Sequence, residues 1–392
     1  MTNSLSAACK LPALKERGNQ LYAWLNERLG LDFFVEIARH KTVPEHRYSF
    51  WYYWGGLSLF FFSVQIITGI FLLMYYHPGD GAYDSVRVIT NEVAFGWLVR
   101  SFHSWSANLM VFCLMVHMFS VFFMKAYRAP REFGWWTGLG LAGMTMLFGF
   151  SGYLLPMDDL AFFATKVGIE IQKALPGAVP AWIPGSAFAQ NMTNTLIDNL
   201  VQGGPSVSGM TVGRFFSLHV VILPLIFLPL LTVHILLVLR HGNAAPPSVE
   251  ALPEKERRSI PFFPNFFVKD LAMWLIAFNV LLFLSAVSPW PLGPQADPWA
   301  AAPDGIHPEW YFMSQFQLLK ALGEVLPGAI GEAAGATMLG VGGLLWALIP
   351  VYDTRNGGQT RAKVATAFGW FAIAVLTFLT VWGYVGVMGA GK

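Results

Sequence analysis

The sequence predicts an all-α membrane protein with seven transmembrane helices. Of its 392 residues, 55% are hydrophobic and only 12% are charged, a balance unlike that of soluble globular chains. Seven apolar runs are each long enough to cross about 30 Å of hydrocarbon as a helix. They lie near residues 49–76, 97–124, 134–156, 215–240, 270–290, 335–352 and 365–388.

The distribution of positive charge predicts the orientation in the membrane. Residues 1–47, 125–131, 240–269 and 355–363 carry most of the 25 Lys and Arg residues, and all four segments fall on one side of a seven-helix topology. The positive-inside tendency makes that side cytoplasmic. We therefore expect a multi-pass protein of a bacterial-type inner (cytoplasmic) membrane, with a cytoplasmic N-terminus.

Composition divides the chain into four parts. Residues 1–47 are polar with amphipathic patches, which predicts helices lying along the membrane surface. Residues 48–241 contain four of the apolar runs and form a predicted four-helix bundle. A charged, proline-rich linker over 242–269 separates them from the three runs in residues 270–392. The net charge of +2, without Lys and Arg interleaved with aromatic residues, argues against binding to nucleic acid.

Two of the predicted helices carry paired histidines. His103 and His117 are 14 residues apart in the second run, and His219 and His234 are 15 apart in the fourth. Fourteen residues are close to four helical turns, so both imidazoles of a run face the same way about 21 Å apart. Ionisable side chains are costly inside hydrocarbon, so two helices with matched histidines favour two metal centres stacked across the membrane.

Each histidine taken alone is more simply explained as a packed, hydrogen-bonded side chain. For the set of four, bis-histidine ligation suits haem iron, and two non-covalent b-type haems are the predicted cofactors. Zinc or copper is the weaker alternative because no third ligand lies nearby on these helices. Neither CxxC nor CxxCH occurs, so no covalent c-type haem is expected. Arg100, three residues before the first histidine, is placed to pair with a haem propionate or to extend to the membrane interface.

Glycines repeat the histidine interval on two other helices. Gly55 and Gly69 in the first run are 14 residues apart, and so are Gly138 and Gly152 in the third. A glycine backbone can approach a flat ring closely, and two pairs at this interval favour contacts with the haems. Helix packing through small residues explains any single glycine equally well.

Five short motifs occur in a fixed order along the chain. They are VAFGWLVRSFHSW at 93–105, GYLLP at 152–156, GGPSV at 203–207, RFFSLH at 214–219 and PEWY at 308–311. Together they resemble cytochrome b of the quinol:cytochrome c oxidoreductases, the cytochrome bc and plastid-type complexes. The resemblance covers nearly the whole chain from about residue 43 onward.

The resemblance implies the di-haem core of an enzyme that oxidises quinol on the outer side of the membrane. Electrons would pass through two b haems to a quinone-reduction site on the cytoplasmic side, contributing to a proton-motive force. His103 and His219 would ligate the outer, low-potential haem, and His117 and His234 the inner, high-potential haem. The implied partners are a Rieske iron–sulfur protein, a c-type cytochrome subunit, membrane lipid and a second copy of the complex.

Family positions also imply a quinol-oxidation pocket around the PEWY motif. Glu309 would take or relay a proton from quinol, a role that a carboxylate of suitable pKa can fill. A helix N-terminal carboxylate favoured by the helix dipole is a compatible explanation of the same residue. The other residues implied to line this pocket are Pro308, Trp310, Tyr311, Phe150, Tyr153 and Ala164.

A second quinone site is implied on the cytoplasmic side. Residues 261–270 resemble the mitochondrial-type segment whose aspartate contacts quinone, and Asp270 is the matching position. Lys269 and Arg240 are in reach of it by topology. The alternative is a basic helix end that faces lipid headgroups and has an acidic partner.

Two departures from the family carry predictions. The interval from His219 to His234 is the plastid-like and menaquinol-type spacing, one residue longer than the mitochondrial one. The fourth helix must therefore absorb one residue through a rotation or a local bulge if the two haems are to stay stacked. Tyr53 stands where plastid-type subunits carry the cysteine that attaches an extra c-type haem, so that haem is not expected.

Two other functions fit part of the pattern. A di-haem b membrane anchor of a formate dehydrogenase or nitrate reductase also places histidines on helices but needs only one quinone site. A transporter with midmembrane histidines would bind no haem. The PEWY motif and the matched glycine pairs favour the quinol-oxidising enzyme over both.

Overall fold

The computed structural model describes residues 4–174, 185–303, 305–326 and 329–390, which form a bundle of helices. Six helices within these ranges are long and apolar enough to cross a membrane. They are Ser49–Leu73, Gly96–Phe123, Gly209–His241, Phe262–Val287, Ile330–Ala347 and Gly358–Met388. The predicted all-α membrane class is confirmed.

The secondary structure follows the chain in this order. The front part comprises Ser4–Leu29 (α1), Leu31–His40 (α2), Thr42–Pro44 (β1), Tyr53–Leu73 (α3), Ala82–Asn91 (α4), Gly96–Phe123 (α5), Glu132–Tyr153 (α6), Asp159–Ala174 (α7), Ser186–Leu196 (α8), Gly209–Ser217 (α9) and Leu223–His241 (α10). The back part comprises Pro247–Glu250 (α11), Ser259–Pro261 (β2), Phe267–Val287 (α12), Trp310–Val325 (α13), Ala329–Ala347 (α14), Ile349–Tyr352 (α15) and Gly358–Ala390 (α16). Short 3₁₀ turns cover Ser49–Tyr52 and Glu254–Glu256, and π-helical segments cover Ile197–Gln202, Leu218–Ile222 and Phe262–Phe266.

The predicted span at residues 134–156 is a regular helix, α6, but it is not among the six apolar helices. Its length of 22 residues is sufficient for a span. Its many glycines, together with Trp135 and Trp136, lower its mean hydropathy. By composition the described residues therefore give six spans instead of the predicted seven, and α6 occupies the place of the missing one, packed along α10.

The helices of the front half pack in two pairs, α3 along α5 and α6 along α10. Leu57 and Phe61 of α3, Met110 and Cys113 of α5, and Leu281 of α12 form a buried apolar cluster. Between membrane-spanning helices such a cluster is stabilised by close van der Waals packing, because lipid is as apolar as the side chains. Helix α12 is thus packed directly onto the helix that carries His103 and His117.

The predicted linker, residues 242–269, is tied to the N-terminal segment. Its strand β2 pairs antiparallel with β1. Next to that pair, Nζ of Lys41 donates to the carbonyl oxygens of Val238 and Leu239, at 3.1 and 3.3 Å. The last carbonyls of a helix lack intrahelical partners, so this contact stabilises the end of α10. The division of the chain into four parts stays a prediction.

A buried ion cluster joins the front and back halves. Asp353, which is fully buried, accepts hydrogen bonds from the hydroxyl of Tyr127 at 2.5 Å and from Nη2 of Arg128 at 2.6 Å, and Nζ of Lys125 lies 3.3 Å away. Burial alone would raise the pKa of Asp353, but these hydrogen bonds and positive charges outweigh it and hold that pKa below its ordinary value. The resulting stability is present at neutral pH and is lost as pH falls through the lowered pKa.

Replacing Asp353 with alanine should destabilise the fold strongly, because the buried Lys125 and the half-buried Arg128 would lose their counter-charge. Removing one partner of a buried pair typically costs about 3–5 kcal/mol. Thermal unfolding of the purified protein, followed by circular dichroism, should show a clearly lower midpoint temperature. Glu250→Gln is the control, since it removes the more exposed pair with Arg355, worth about 0–1 kcal/mol. Equal midpoints for the two variants would contradict the prediction.

Candidate functional site

The four predicted histidines meet in two pairs between α5 and the long helix formed by α9, the second π segment and α10. His103 and His219 have ring centres 6.4 Å apart and ring planes inclined by 65°. His117 and His234 lie further along the same helices, within electrostatic range of each other. Since 14 residues of α-helix rise about 21 Å, the pairs form two stacked levels.

A π-helical segment adjusts the register of the second histidine helix. It covers Leu218–Ile222 and therefore includes His219, the first ligand candidate of that helix. A π turn accommodates one residue more than an α turn. The 15-residue interval to His234 consequently presents both rings to α5 as a 14-residue interval would. The predicted local bulge between these histidines is confirmed.

Each of the four predicted glycines lies against one of the histidines. The distances from a Cβ added at the glycine to the histidine Cε1 are 3.0 Å for Gly55 and His117, 3.5 Å for Gly69 and His103, 3.2 Å for Gly138 and His234, and 2.7 Å for Gly152 and His219. Glycine is therefore required most strictly at position 152, where even alanine would push the ring away. In this structure the glycines make room for the imidazole rings themselves, and their contact with a cofactor plane stays a prediction.

Three hydroxyl side chains that the sequence analysis did not single out also contact the histidines. Each hydroxyl oxygen lies within hydrogen-bond distance of an Nδ1 atom, the ring nitrogen next to the side-chain stem. The contacts are Thr68 to His103 at 2.9 Å, Thr137 to His234 at 3.0 Å and Ser151 to His219 at 3.1 Å. The signal that could have revealed them is local, because each hydroxyl residue directly precedes one of the paired glycines.

The donor geometry fits a haem held by two imidazoles. A metal–imidazole bond is about 2.0–2.1 Å long and the ring centre lies about 1 Å behind the nitrogen, so two rings on opposite sides of one metal have centres about 6 Å apart. His103 and His219 have that separation, and their Nδ1 atoms are engaged by hydroxyls, which leaves Nε2 as the donor. No group of three or more His, Cys, Asp and Glu side chains that could hold a metal ion occurs among the described residues. A closed four-ligand zinc site therefore does not fit.

Arg100, predicted to pair with a haem propionate or to extend to the membrane interface, contacts a loop in this structure. Its side chain is buried and donates from Nη1 to the carbonyl oxygen of Trp290 at 2.7 Å and from Nη2 to that of Pro291 at 2.9 Å. The hydroxyl of Ser101 accepts a hydrogen bond from the backbone N–H of Trp290 at 2.9 Å. These bonds hold the loop after α12 against the first turns of α5. Loop carbonyls that would otherwise be unsatisfied accept these hydrogen bonds, and pairing of Arg100 with a haem propionate stays a prediction.

The same loop is held a second time by the turn before α7. Asp158 accepts a hydrogen bond from the backbone N–H of Gly293 at 3.2 Å, and the backbone N–H of Asp159 donates to the carbonyl of Pro294 at 2.9 Å. The loop that leads to the PEWY motif is thus fixed to both α5 and the α6–α7 turn.

Glu309 is the residue that caps the N-terminus of α13. Its backbone carbonyl accepts a hydrogen bond from the N–H of Phe312 at 2.8 Å, while its side chain makes no capping hydrogen bond within the described residues. Burial, and secondarily the negative charge of Asp158, raises the pKa of Glu309 to about 7. A carboxyl group with such a pKa can accept and release protons near neutral pH. The side chain is therefore available for proton transfer.

The other PEWY residues are anchored to the two helices behind them. Nε1 of Trp310 donates to Oδ1 of Asn108 on α5 at 2.8 Å. Tyr311 is buried against α6, where a Cβ added to Gly149 would lie 2.8 Å from its hydroxyl oxygen. Pro308 is half-buried at the end of the loop. The structure therefore brings the whole motif against α5 and α6.

Phe150, Tyr153 and Ala164 lie around the same end of the bundle. A Cβ added to Gly168 of α7 would be 3.1 Å from Cε2 of Phe150, so α7 packs on this ring. Ala164 is half-buried one turn earlier on the same face of α7. Tyr153 lies within electrostatic range of Glu309. The predicted residues of this pocket are thus gathered between α6, α7 and α13.

Asp270 lies in the first turn of α12, against α3. A Cβ added to Gly56 would come 2.6 Å from its Oδ1 atom, and this buried oxygen has no hydrogen-bond partner in the described part of the chain. Lys269 and Arg240 are exposed and, over the same residues, form no ion pair with Asp270. The structure therefore does not bring the two predicted basic residues to the carboxylate. A buried carboxylate oxygen without a partner is costly, which makes it a candidate ligand contact.

Comparison with known proteins gives matches over most of the chain. Residues 39–242 match the family model described as cytochrome b/b6/petB, and residues 295–391 match that of cytochrome b(C-terminal)/b6/petD. The cytochrome bc complex cytochrome b subunit of Chlorobaculum thiosulfatiphilum is 43% identical over 376 residues, covering 94% of this chain and 81% of the relative. The menaquinol:cytochrome c reductase cytochrome b subunit of Geobacillus thermodenitrificans is 40% identical over 236 residues, covering 58% of this chain and 99% of that one. A chain of a solved hyperthermophilic respiratory Complex III is similar with a TM-score of 0.75 and 26% identity, covering 93% of this chain and 98% of its own.

Proposed function

The chain belongs to the cytochrome b family and is the cytochrome b subunit of a bc-type quinol:cytochrome c reductase, and from this premise we propose that it holds two b-type haems and two quinone sites. The observation that carries the proposal is the pair of histidine levels between α5 and α10, one of them with ring centres 6.4 Å apart. His103 and His219 hold one haem, and His117 and His234 hold the other. Haem bound in this way supplies reversible one-electron transfer.

Quinol oxidation takes place at the PEWY end of the bundle in this proposal. Conversion of quinol to quinone releases two protons and two electrons, so the site needs a base. The carboxylate of Glu309, whose pKa is raised to about 7 by burial, accepts a quinol hydroxyl proton. The side chains proposed to line the pocket and exclude water are Phe150, Tyr153, Ala164, Pro308, Trp310 and Tyr311.

Quinone reduction takes place at the opposite end, where Asp270 faces α3. The unpartnered Oδ1 of Asp270 supports this assignment, since the protonated carboxyl group could donate a hydrogen bond to a bound quinone oxygen. Reduction of quinone to quinol consumes two protons and two electrons, and the carboxyl group would supply protons from the cytoplasmic side. Arg240 and Lys269 contribute only if their exposed side chains turn toward the carboxylate.

The partners and the direction of the reaction complete the proposal. Membership of a bc-type complex implies partner subunits, and we propose a Rieske-type iron–sulfur protein and a c-type cytochrome in a dimeric complex. One electron of each quinol goes to the iron–sulfur partner and the other crosses the membrane. The excess of Lys and Arg in the loops at the Asp270 end supports a cytoplasmic position for that end. Proton release outside and uptake inside would then contribute to a proton-motive force.

A reduced-minus-oxidised absorption spectrum of the purified protein tests the proposal most directly. We expect a b-type α-band and a haem content of two per chain. A spectrum without that band would exclude the proposed function, and one haem per chain would exclude the two-level arrangement. Copurification with an iron–sulfur subunit and quinol:cytochrome c turnover would distinguish the proposal from a di-haem anchor of a formate dehydrogenase or nitrate reductase.

A further inference from the structure

The hydroxyl groups that contact the histidines are distributed unevenly between the two levels. At one level, Thr68 contacts His103 and Ser151 contacts His219, so both imidazoles have a hydroxyl partner. At the other level only His234 has one, which is supplied by Thr137. The three hydroxyl residues come from α3 and α6, the helices that flank the histidine helices on either side.

His117 lacks such a partner for a reason visible in the sequence. Its glycine is Gly55, and the residue directly before that glycine is Trp54, where the other three glycines follow a serine or threonine. Indole nitrogen is a donor only, so Trp54 could not accept a proton from the imidazole in any case. The hydrogen bonds of the described residues include none to the His117 ring.

Counting protons fixes the direction of the three hydroxyl–imidazole bonds. A hydroxyl has a single proton, and each of these three donates it to a carbonyl of its own helix. The bonds are Thr68 to Val64 at 2.7 Å, Thr137 to Phe133 at 2.8 Å and Ser151 to Phe148 at 3.3 Å. Each hydroxyl oxygen can therefore only accept a hydrogen bond from the imidazole. The imidazole proton consequently lies on Nδ1 of the histidine. The lone pair is left on Nε2.

We propose that Thr68, Ser151 and Thr137 are positioning residues that set the tautomer and the donor strength of the histidines. Their uneven distribution lowers the reduction potential of the haem at the His103–His219 level relative to that of the haem at the His117–His234 level. This inference rests on the proposed function, because it assigns a property to haems that the histidines would hold. An imidazole whose Nδ1–H is hydrogen-bonded is a stronger donor to a metal. Stronger donation favours the more highly charged, oxidised iron.

Two supported ligands at one level and one at the other therefore favour electron movement from the His103–His219 level to the His117–His234 level. The effect follows from hydrogen bonds alone and does not require a difference in ligand type, since all four ligands are histidines. Hydrogen bonding around the ligands and burial are recognised means by which a protein adjusts a haem potential. The hydroxyls act together with the backbone carbonyls of Phe148 and Gly134, which also bond to His219 and His234.

Potentiometric measurements on the purified native complex test this inference. In Thr68→Val and Ser151→Ala, the midpoint potential of the lower-potential haem should shift upward while the other haem is unchanged. In Thr137→Val, only the higher-potential haem should shift upward. Thr145→Val is the matched control, because Thr145 is a buried threonine of α6 whose hydroxyl bonds to the carbonyl of Leu141 and to no histidine.

A conservative variant separates hydrogen bonding from packing. Thr68→Ser keeps the oxygen and should keep the wild-type potential, whereas an equal shift in Thr68→Val and Thr68→Ser would assign the effect to packing and overturn the inference. Unchanged potentials in all three hydroxyl-removing variants, with both haems bound, would also overturn it while leaving the proposed function intact. Absence of the b-type spectrum from the wild-type protein would instead remove the proposed function. Low-temperature electron paramagnetic resonance gives a second readout, since the signal of only the affected haem should change.

Discussion

Replacing Glu309 with glutamine should slow quinol oxidation by about 10²-fold or more, in line with the 10²–10⁴-fold that a positioned general base contributes. Glutamine preserves the size of the side chain but cannot accept the quinol proton. Turnover is measured as quinol-dependent reduction of a c-type cytochrome by the purified complex. Both haems should remain, because Glu309 caps α13 through its backbone carbonyl and its side chain is not part of that bond within the described residues.

The dependence of the turnover rate on pH is a second expected result of this role of Glu309. Burial raises the pKa of Glu309 to about 7, so the fraction of carboxylate able to accept a proton rises with pH through that value. The wild-type rate should therefore increase between about pH 6 and 8, and the Glu309→Gln rate should lose that component. Glu324→Gln is the control, because Glu324 is an exposed carboxylate on the same helix. Unchanged turnover in Glu309→Gln would show that this carboxylate is not the base.

Features that depend on the spacing of residues along a helix could be predicted from the sequence. The histidine intervals of 14 and 15 residues required two levels on two helices and one extra residue in the second helix, and the π segment Leu218–Ile222 lies at that place. The glycines were found by the same interval. Their contact partner was not, because a 14-residue interval gives the level at which a glycine lies and not which ring it meets. In the structure that ring is an imidazole.

The sequence shows that the three hydroxyl residues precede the paired glycines, but it could not show their bonds to the histidines, for a different physical reason. A serine or threonine on an apolar helix normally bonds to a carbonyl three or four residues earlier, and Thr68, Thr137 and Ser151 all do so. Nothing in the sequence of one helix shows that the same oxygen also accepts a hydrogen bond from a histidine of another helix. The second bond depends on packing between helices, which the structure supplies.

Loop geometry accounts for contacts that the sequence could not predict. Topology places Arg100 in the first turns of α5, but it could not show that the carbonyls of Trp290 and Pro291 accept its hydrogen bonds. Topology likewise places Lys269 and Arg240 on the side of Asp270, but not at bonding distance. A position along a helix thus predicts membrane depth well, whereas the direction of a long charged side chain depends on which backbone groups of a loop lack partners.

Replacing His219 with leucine should remove one haem of the two and abolish quinol:cytochrome c turnover. Leucine offers no lone pair, so the level that His219 shares with His103 loses one of its two nitrogen donors. The second level lies about 21 Å away along the helices, and His117 and His234 should keep their haem. Haem content per chain, measured as the pyridine haemochrome, should therefore fall to half of the wild-type value.

His234→Leu is the reciprocal variant, and comparison of the two tests whether the levels are independent. His234→Leu should also halve the haem content. The α-band that remains in His234→Leu should belong to the haem of lower potential. The α-band that remains in His219→Leu should belong to the haem of higher potential. His241→Leu is the control, because His241 ends the same helix without belonging to either pair. Loss of both haems from either single variant, with circular dichroism unchanged, would show one coupled site in place of two. Retention of two different single-haem spectra would show that α5 and α10 hold two separate centres, which is the arrangement that transfer of an electron across the membrane requires.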